Sequence, residues 1–70
     1  MKQYEVVRVK SICSERFANR HPDFQRHPMV GDVGTILEVY TNAYEVECSD
    51  PNTGITIWLE AMYPEELQTL

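Results

Sequence analysis

Three glutamates, Glu38, Glu45 and Glu47, are the side chains whose type and spacing come closest to a pair of catalytic carboxylates. Glu45 and Glu47 alternate with apolar residues in a strand-like run, and Glu38 belongs to the run before it. Acids at such outward positions of neighbouring strands are ordinarily solvated, and no segment is available to form the desolvated pocket that acid–base catalysis needs. No Ser, His, Asp or Cys lies in a context typical of nucleophilic catalysis. We therefore predict that the chain is not an enzyme.

Side chains able to bind a metal occur close together in the segment before the first glycine, at Cys13, His21, Asp23 and His27. The spacing His-x-Asp-x3-His matches no standard site, and a structural zinc ion needs four firm ligands. We predict no metal and no cofactor. The two cysteines, Cys13 and Cys48, have no paired spacing, so two reduced thiols are expected, with a disulfide from loop to sheet as the alternative.

The charge distribution favours a protein partner. The net charge is −5, but all six basic residues lie in the first 26 positions, and eight acids with no Lys or Arg follow from position 27 onward. The two parts therefore carry +3 and −8. Such a balance disfavours phosphate binding over most of the surface, and it favours a protein of complementary charge or a second copy of the chain.

The segment 13–29 is the best candidate for a working surface. It contains two prolines and cannot form a long helix, and long irregular segments are often functional. Its arginines alternate with aromatic side chains, a combination found in proteins that bind single-stranded nucleic acid. Weak nucleic-acid binding is thus one alternative. The other is that Phe17 and Phe24 hold this segment over one opening of the fold as a lid.

Hydrophobic alternation predicts the strands that position these residues. In the first strand, within 3–12, Val7 and Val9 face inward, and in the strand 44–48 Val46 and Cys48 do so. A third strand is predicted to bury its odd positions from 55 to 59 and to direct Trp58 outward. A short 3-10 turn at 63–67 and a last strand at 67–70 follow.

Turn residues mark the boundaries of these strands. Gly34 indicates a β-bulge or a close backbone approach, and Asn42, in a three-residue connection 41–43, is the residue most able to adopt a positive φ. The predicted turn residues are Gly31, Asp32, Gly34, Asn42 and Gly54. Together the elements predict one domain over residues 1–70: an all-β, small Src-homology-3-like (SH3-like) barrel of about five antiparallel strands, with a long loop after strand 1.

The runs GDVGTILEVY, AYEVECSD and GITIWLEAMYPEELQTL resemble a small bacterial family of about seventy residues, catalogued as a domain of unknown function. Its core is G-D-x-G-T-[IV]-x-E-V-Y followed by A-Y-E-V-E. The likeness covers residues 30–70 well and the first strand loosely. It implies an SH3-like barrel and no catalytic residue, and, from the neighbouring genes of the family, an antitoxin or immunity role.

We predict a non-catalytic protein-binding module. Tyr40 and Trp58, on outward positions and rimmed by acids, have the chemistry of an interface centre, unless the long loop covers them. The alternatives are an antitoxin or immunity protein that neutralises a basic toxin, a homodimer, or the nucleic-acid binder described above. No secretory leader or membrane span is evident, so a cytoplasmic location is expected. The predicted partner-binding residues are Arg16, Arg20, Phe24, Arg26, Tyr40, Glu45, Glu47 and Trp58.

Overall fold

The protein is built on one antiparallel sheet. The computed structural model describes all residues, 1–70. Its strands are β1 (Val6–Val9), β2 (Val33–Val39), β3 (Tyr44–Ser49), β4 (Thr56–Met62) and β5 (Leu67–Thr69), with a 3-10 turn η1 (Pro64–Glu66) before β5. The strand order is β4-β3-β2-β1-β5, so the last strand pairs with the first, and β4 and β5 form the two ends of an open sheet. The prediction of an all-β fold with five antiparallel strands, a long loop after strand 1 and a 3-10 turn is confirmed.

The core lies on one face of this sheet, which we call the inner face. Alternate positions of β1 and β3 are buried there, as predicted: Val7 and Val9, then Val46 and Cys48. Eight of the nine buried apolar residues come from strands, and the ninth, Phe17, comes from the segment between β1 and β2. A single sheet needs a second layer to bury one face, and this segment provides it.

The face predicted for β4 was wrong by one residue. Trp58, predicted to point outward, is 1% exposed, whereas Leu59, predicted to point inward, is partly exposed and Ile55 is 59% exposed. Ile57, also predicted to point inward, is partly buried and packs against the core. The pairing of β3 with β4 is irregular between Cys48 and Ser49, and an irregularity of this kind shifts the alternation that follows it. Burial of Trp58 is also the lower-energy choice, because its indole N–H finds a carboxylate partner in the interior.

Two turn predictions have different outcomes. Gly34 is a close backbone approach rather than a bulge, since a Cβ there would lie 2.6 Å from the carbonyl oxygen of Glu47. The irregularity of β2 lies instead between Ile36 and Glu38. Asn42 does not have a positive φ: four residues, 40–43, connect β2 to β3 and are closed by a hydrogen bond from the Tyr40 N–H to the Ala43 carbonyl, 2.8 Å. Gly31 and Gly54, predicted as turn residues, have positive φ values, 99° and 76°.

Candidate functional site

Residues 10–32, which we call the strap, cross the inner face from β1 to β2. The backbone N–H groups of Gln25 and Arg26 donate to the carbonyl of Ile57, at 3.0 and 3.3 Å. The side-chain amide of Gln25 donates to the carbonyl of Thr56 at 3.2 Å. The strap thereby covers part of the free edge of β4, and it covers Trp58. We predicted that this segment either binds nucleic acid or covers the core as a lid. Burial of Phe17 supports the lid, although Phe24 is half exposed.

Glu66 is the first of two carboxylates that hold the strap. It is fully buried and accepts hydrogen bonds from Arg16 Nε (2.9 Å) and Arg16 Nη2 (2.6 Å). The backbone N–H groups of Cys13 and Tyr63 also donate to it, at 2.8 and 2.9 Å. Burial alone would raise the pKa of Glu66, but these donors outweigh it and hold the pKa below its ordinary value. Glu66 is therefore a buried anion with four donors around it.

Arg16 is fixed on all sides by this arrangement. Its Nη2 also donates to the carbonyl of Ala61 in β4, at 2.8 Å. Its guanidinium lies over the rings of Phe17 and Tyr63, 4.4 and 4.7 Å from their centroids. Arg16, which belongs to the strap, is thus bound to both β4 and η1.

Asp32 is the second carboxylate that holds the strap. Arg26 binds it with two nitrogens, at 2.8 and 3.0 Å, and the Trp58 Nε1–H and the Met29 N–H donate to it at 2.8 and 2.9 Å. Burial raises the pKa of Asp32, but the hydrogen bonds from Arg26, Met29 and Trp58 lower it by a larger amount. The pKa of Asp32 is therefore below its ordinary value. Asp32, predicted only as a turn residue, therefore ties the start of β2 to β4.

The third arginine of the strap is paired as well. Arg20 Nη2 lies 2.6 Å from Glu60 Oε2, and its side chain is half exposed. The predicted partner-binding arginines Arg16, Arg20 and Arg26 are thus all directed to carboxylates of the protein itself. The arginines that suggested an external partner therefore connect the strap to the rest of the protein or, for Arg26, to the start of β2.

The opposite, outer face of the sheet has no covering segment. Glu38 lies directly across from Glu45 in the pairing of β2 with β3, and Glu47 lies across from Thr35. None of these acids forms an ion pair. Glu45 accepts from the Tyr40 hydroxyl, and Glu47 accepts from the Thr56 hydroxyl at 2.5 Å. The remaining residues of this face, none of them buried, are Val6, Arg8, Val33, Thr35, Leu59, Ala61 and Gln68.

The structure therefore divides the predicted site residues between two faces. Tyr40, Glu45 and Glu47 come together on the outer face, and Glu38 joins them. Trp58 and the strap arginines belong to the inner face. Sequence analysis missed the role of Glu66, although a glutamate three residues after the residue that begins a helical turn is the spacing of a capping box, and the Tyr63 N–H donates to Glu66 in this way. No comparable local pattern marks Asp32 as a ligand of Arg26 and Trp58.

The remaining features show no further assembled chemistry. No group of three or more His, Cys, Asp or Glu side chains is placed to hold a metal ion. Both cysteines are free, in agreement with the expectation of two reduced thiols. A shallow depression of about 230 Å³ lies on the strap and is lined by residues 18–21. No helix in the structure has the length and apolar character required to cross a membrane.

Comparison of the chain with protein-family models, curated proteins and solved structures finds no match. The resemblance to a bacterial family of unknown function therefore stays a prediction. So do the functions that the resemblance implies.

Proposed function

We propose that this chain is a non-catalytic protein-binding module, and that its docking surface is the outer face of the sheet. The partner is a protein that presents positive charge to Glu38, Glu45 and Glu47. The observation that supports this most is the different treatment of acids on the two faces. Inner-face carboxylates each have an arginine, whereas the three outer-face glutamates have none.

The outer face also has apolar and aromatic surface beside these acids. Val6, Val33 and Tyr40 are 45%, 42% and 47% exposed. Aromatic and aliphatic side chains surrounded by charge are the usual composition of an interface centre and its rim. The Tyr40 hydroxyl already orients the Glu45 carboxylate, so part of this surface is ordered before a partner arrives.

The charge of this face favours a basic partner over a second copy. Arg8 is the one cation on it, against the three glutamates. Two identical faces brought together would place acids near acids, which costs free energy unless counter-charges are present. Like charges directly across a strand pair, as at Glu38 and Glu45, already repel within one chain. A partner that supplies Lys or Arg side chains removes this repulsion.

The other predicted functions have less support. Nucleic-acid binding through residues 13–29 would use arginines that already pair with carboxylates. The antitoxin or immunity role is the case in which the basic partner is a toxin, and no feature of the structure selects that case.

The test compares two variants with the same change in charge. The first removes the outer-face acids (Glu38→Gln, Glu45→Gln and Glu47→Gln). The second removes three exposed acids elsewhere (Glu15→Gln, Asp23→Asn and Glu65→Gln). Partners are captured from the native host with the wild-type chain, and each is then titrated as a purified protein by calorimetry. We expect a basic partner whose affinity falls about tenfold or more with the first variant and hardly changes with the second.

Three outcomes contradict the proposal. Equal losses with both variants would indicate non-specific attraction to net negative charge. Self-association seen by sedimentation, lost with the outer-face variant and without any heterologous partner, would replace the basic partner by a second copy. Binding of single-stranded nucleic acid that Arg20→Gln removes would move the function to the strap.

A further inference from the structure

The surroundings of Arg16 have the composition of a complete guanidinium-binding site. Glu66 supplies both carboxylate oxygens, and the Ala61 carbonyl supplies a third oxygen acceptor. The rings of Phe17 and Tyr63 lie 4.4 and 4.7 Å from the guanidinium carbon. A side-on carboxylate, a carbonyl and aromatic faces are the groups that distinguish a planar guanidinium from a compact ammonium ion.

Much of this site is formed without Arg16. Glu66 is oriented by the Tyr63 N–H within η1 and by the Cys13 N–H at 2.8 Å. Ala61 lies in β4, and Tyr63 is the residue that begins η1. Their positions are therefore determined by the sheet and not by the Arg16 side chain. The Glu66 side chain is 0% exposed, whereas the Arg16 side chain is 22% exposed. A small cation can therefore reach the site from solvent without displacing the core.

We propose that this is a guanidinium-binding site which the chain fills with its own Arg16, and that it takes a free alkylguanidinium once that side chain is truncated. The driving force is the buried carboxylate. Without Arg16, Glu66 is an anion in the interior without a counter-charge, which strongly destabilises the folded state. A ligand that binds only the folded state restores stability by RT ln(1 + L/Kd), where L is the concentration of free ligand. This inference concerns the inner face and does not depend on the proposed docking surface.

The experiment uses Arg16→Ala and ethylguanidinium, which replaces the deleted Cγ, Cδ and guanidinium group of the side chain. Thermal unfolding is followed by the fluorescence of Trp58, at millimolar concentrations far below those at which guanidinium denatures. We expect Arg16→Ala to lower Tm by roughly 15 °C or more. Ethylguanidinium raises this Tm progressively with its concentration, and ethylammonium at equal concentration and ionic strength does not.

Matched variants separate binding from general salt effects. The wild type, whose site is filled, and the double variant Arg16→Ala with Glu66→Gln, whose site lacks the anion, both show no such rise. Arg20→Ala, which breaks a more exposed pair, is not rescued either. If Arg16→Ala is unfolded in buffer, the titration is made in trimethylamine N-oxide at the concentration that restores the native circular dichroism spectrum.

The proposal is overturned by any of three results. Arg16→Ala shows no rise in Tm under either condition, or the double variant shows the same rise, or ethylammonium is as effective as ethylguanidinium. The last result would mean that the site recognises positive charge and not the planar group.

Discussion

Two groups of carboxylates can be distinguished in this protein: those that pair with an arginine and those that have no cation beside them. Glu66 and Asp32 each accept four hydrogen bonds, two of them from an arginine. Glu66 is fully buried, so removing Arg16 leaves an uncompensated charge in the interior, which is costly. Glu38 and Glu45 are partly solvated and face each other with no cation between them. Acids of the first kind hold the fold together, and acids of the second kind weaken it slightly.

The repulsion between Glu38 and Glu45 leads to a prediction about stability. Glu38→Lys places opposite charges across the strand pair, so the free energy of unfolding increases by about 0.5 kcal/mol. The same change weakens binding of the proposed basic partner. Urea unfolding measures the first effect and calorimetric titration the second. A gain in stability that accompanies a loss of binding is typical of a residue retained for function.

Glu65→Lys, on the exposed surface of η1, is the control with the same change in net charge. It should alter stability much less than Glu38→Lys. If both variants gain equally, the effect comes from net charge and not from the strand pair. The argument for a functional acid at Glu38 would then fail.

The sequence identifies which residues are charged, but it does not show which arginine pairs with which carboxylate. Arg16 and Glu66 are 50 positions apart, so no local pattern connects them, and Arg16 was expected on a working surface. Arg26 and Asp32 are only six positions apart, but their pairing depends on how the strap turns before β2. The outer-face acids were placed correctly at Glu45 and Glu47, because strict alternation in an uninterrupted strand determines which side chains leave the core.

At the scale of elements, the strands were predictable where the strand itself contains no extra residue. β1 and β3 bury the residues that alternation assigns, whereas β4 contributes the extra residue of its irregular pairing with β3 and buries Trp58 in place of Leu59. The strap shows a different limit of sequence analysis. It has no periodic pattern, so the sequence marks it as a long loop and contains no local signal that it forms the second layer over the core.

The role of the strap as a layer gives an element-scale prediction. Phe17 and Ile12 of the strap pack against the strand residues of the core, so detachment of the strap exposes apolar surface and should cost nearly as much as global unfolding. The amide of Arg26, which donates to Ile57 in β4, should therefore exchange with deuterium about as slowly as the amide of Ile36 in β2. Native-state hydrogen exchange followed by NMR measures both rates.

The amide of Gly54, which donates to Asp50 within a surface turn, is the comparison for local opening. It should exchange much faster than either of the other two. If Arg26 exchanges as fast as Gly54, the strap opens independently of the sheet. It would then be a mobile loop rather than a structural layer.

At the scale of the whole molecule, the division of charge along the sequence becomes an internal complementarity. The positively charged first part supplies Arg16, Arg20 and Arg26, and the negatively charged remainder supplies their carboxylates. Three of the six basic side chains thus form ion pairs within one chain. The negative charge left over is concentrated in part on the outer face, where it remains available to a partner.

This internal pairing makes the stability of the whole protein depend on pH in the acid range. The pKa values of Glu66 and Asp32 are lower in the folded state than in the unfolded chain, because their donors outweigh the effect of burial. The stabilisation is therefore complete above the unfolded values of about 4.3 and 3.9, and it is lost as the pH falls through the lower folded values. We expect the free energy of unfolding to be nearly constant from pH 7 to 5 and to fall steeply below pH 4.

Glu66→Gln tests the origin of this loss. It leaves Arg16 without its counter-charge, so the variant should be roughly 2–3 kcal/mol less stable than the wild type at pH 7. That difference should shrink as the pH falls, because protonation removes the same charge from the wild type. Urea unfolding at a series of pH values measures both curves, and Glu65→Gln, an exposed neighbour, should follow the wild type throughout. Parallel curves for Glu66→Gln and the wild type would show that acid unfolding arises elsewhere, from the solvated acids and not from the carboxylate that holds the strap.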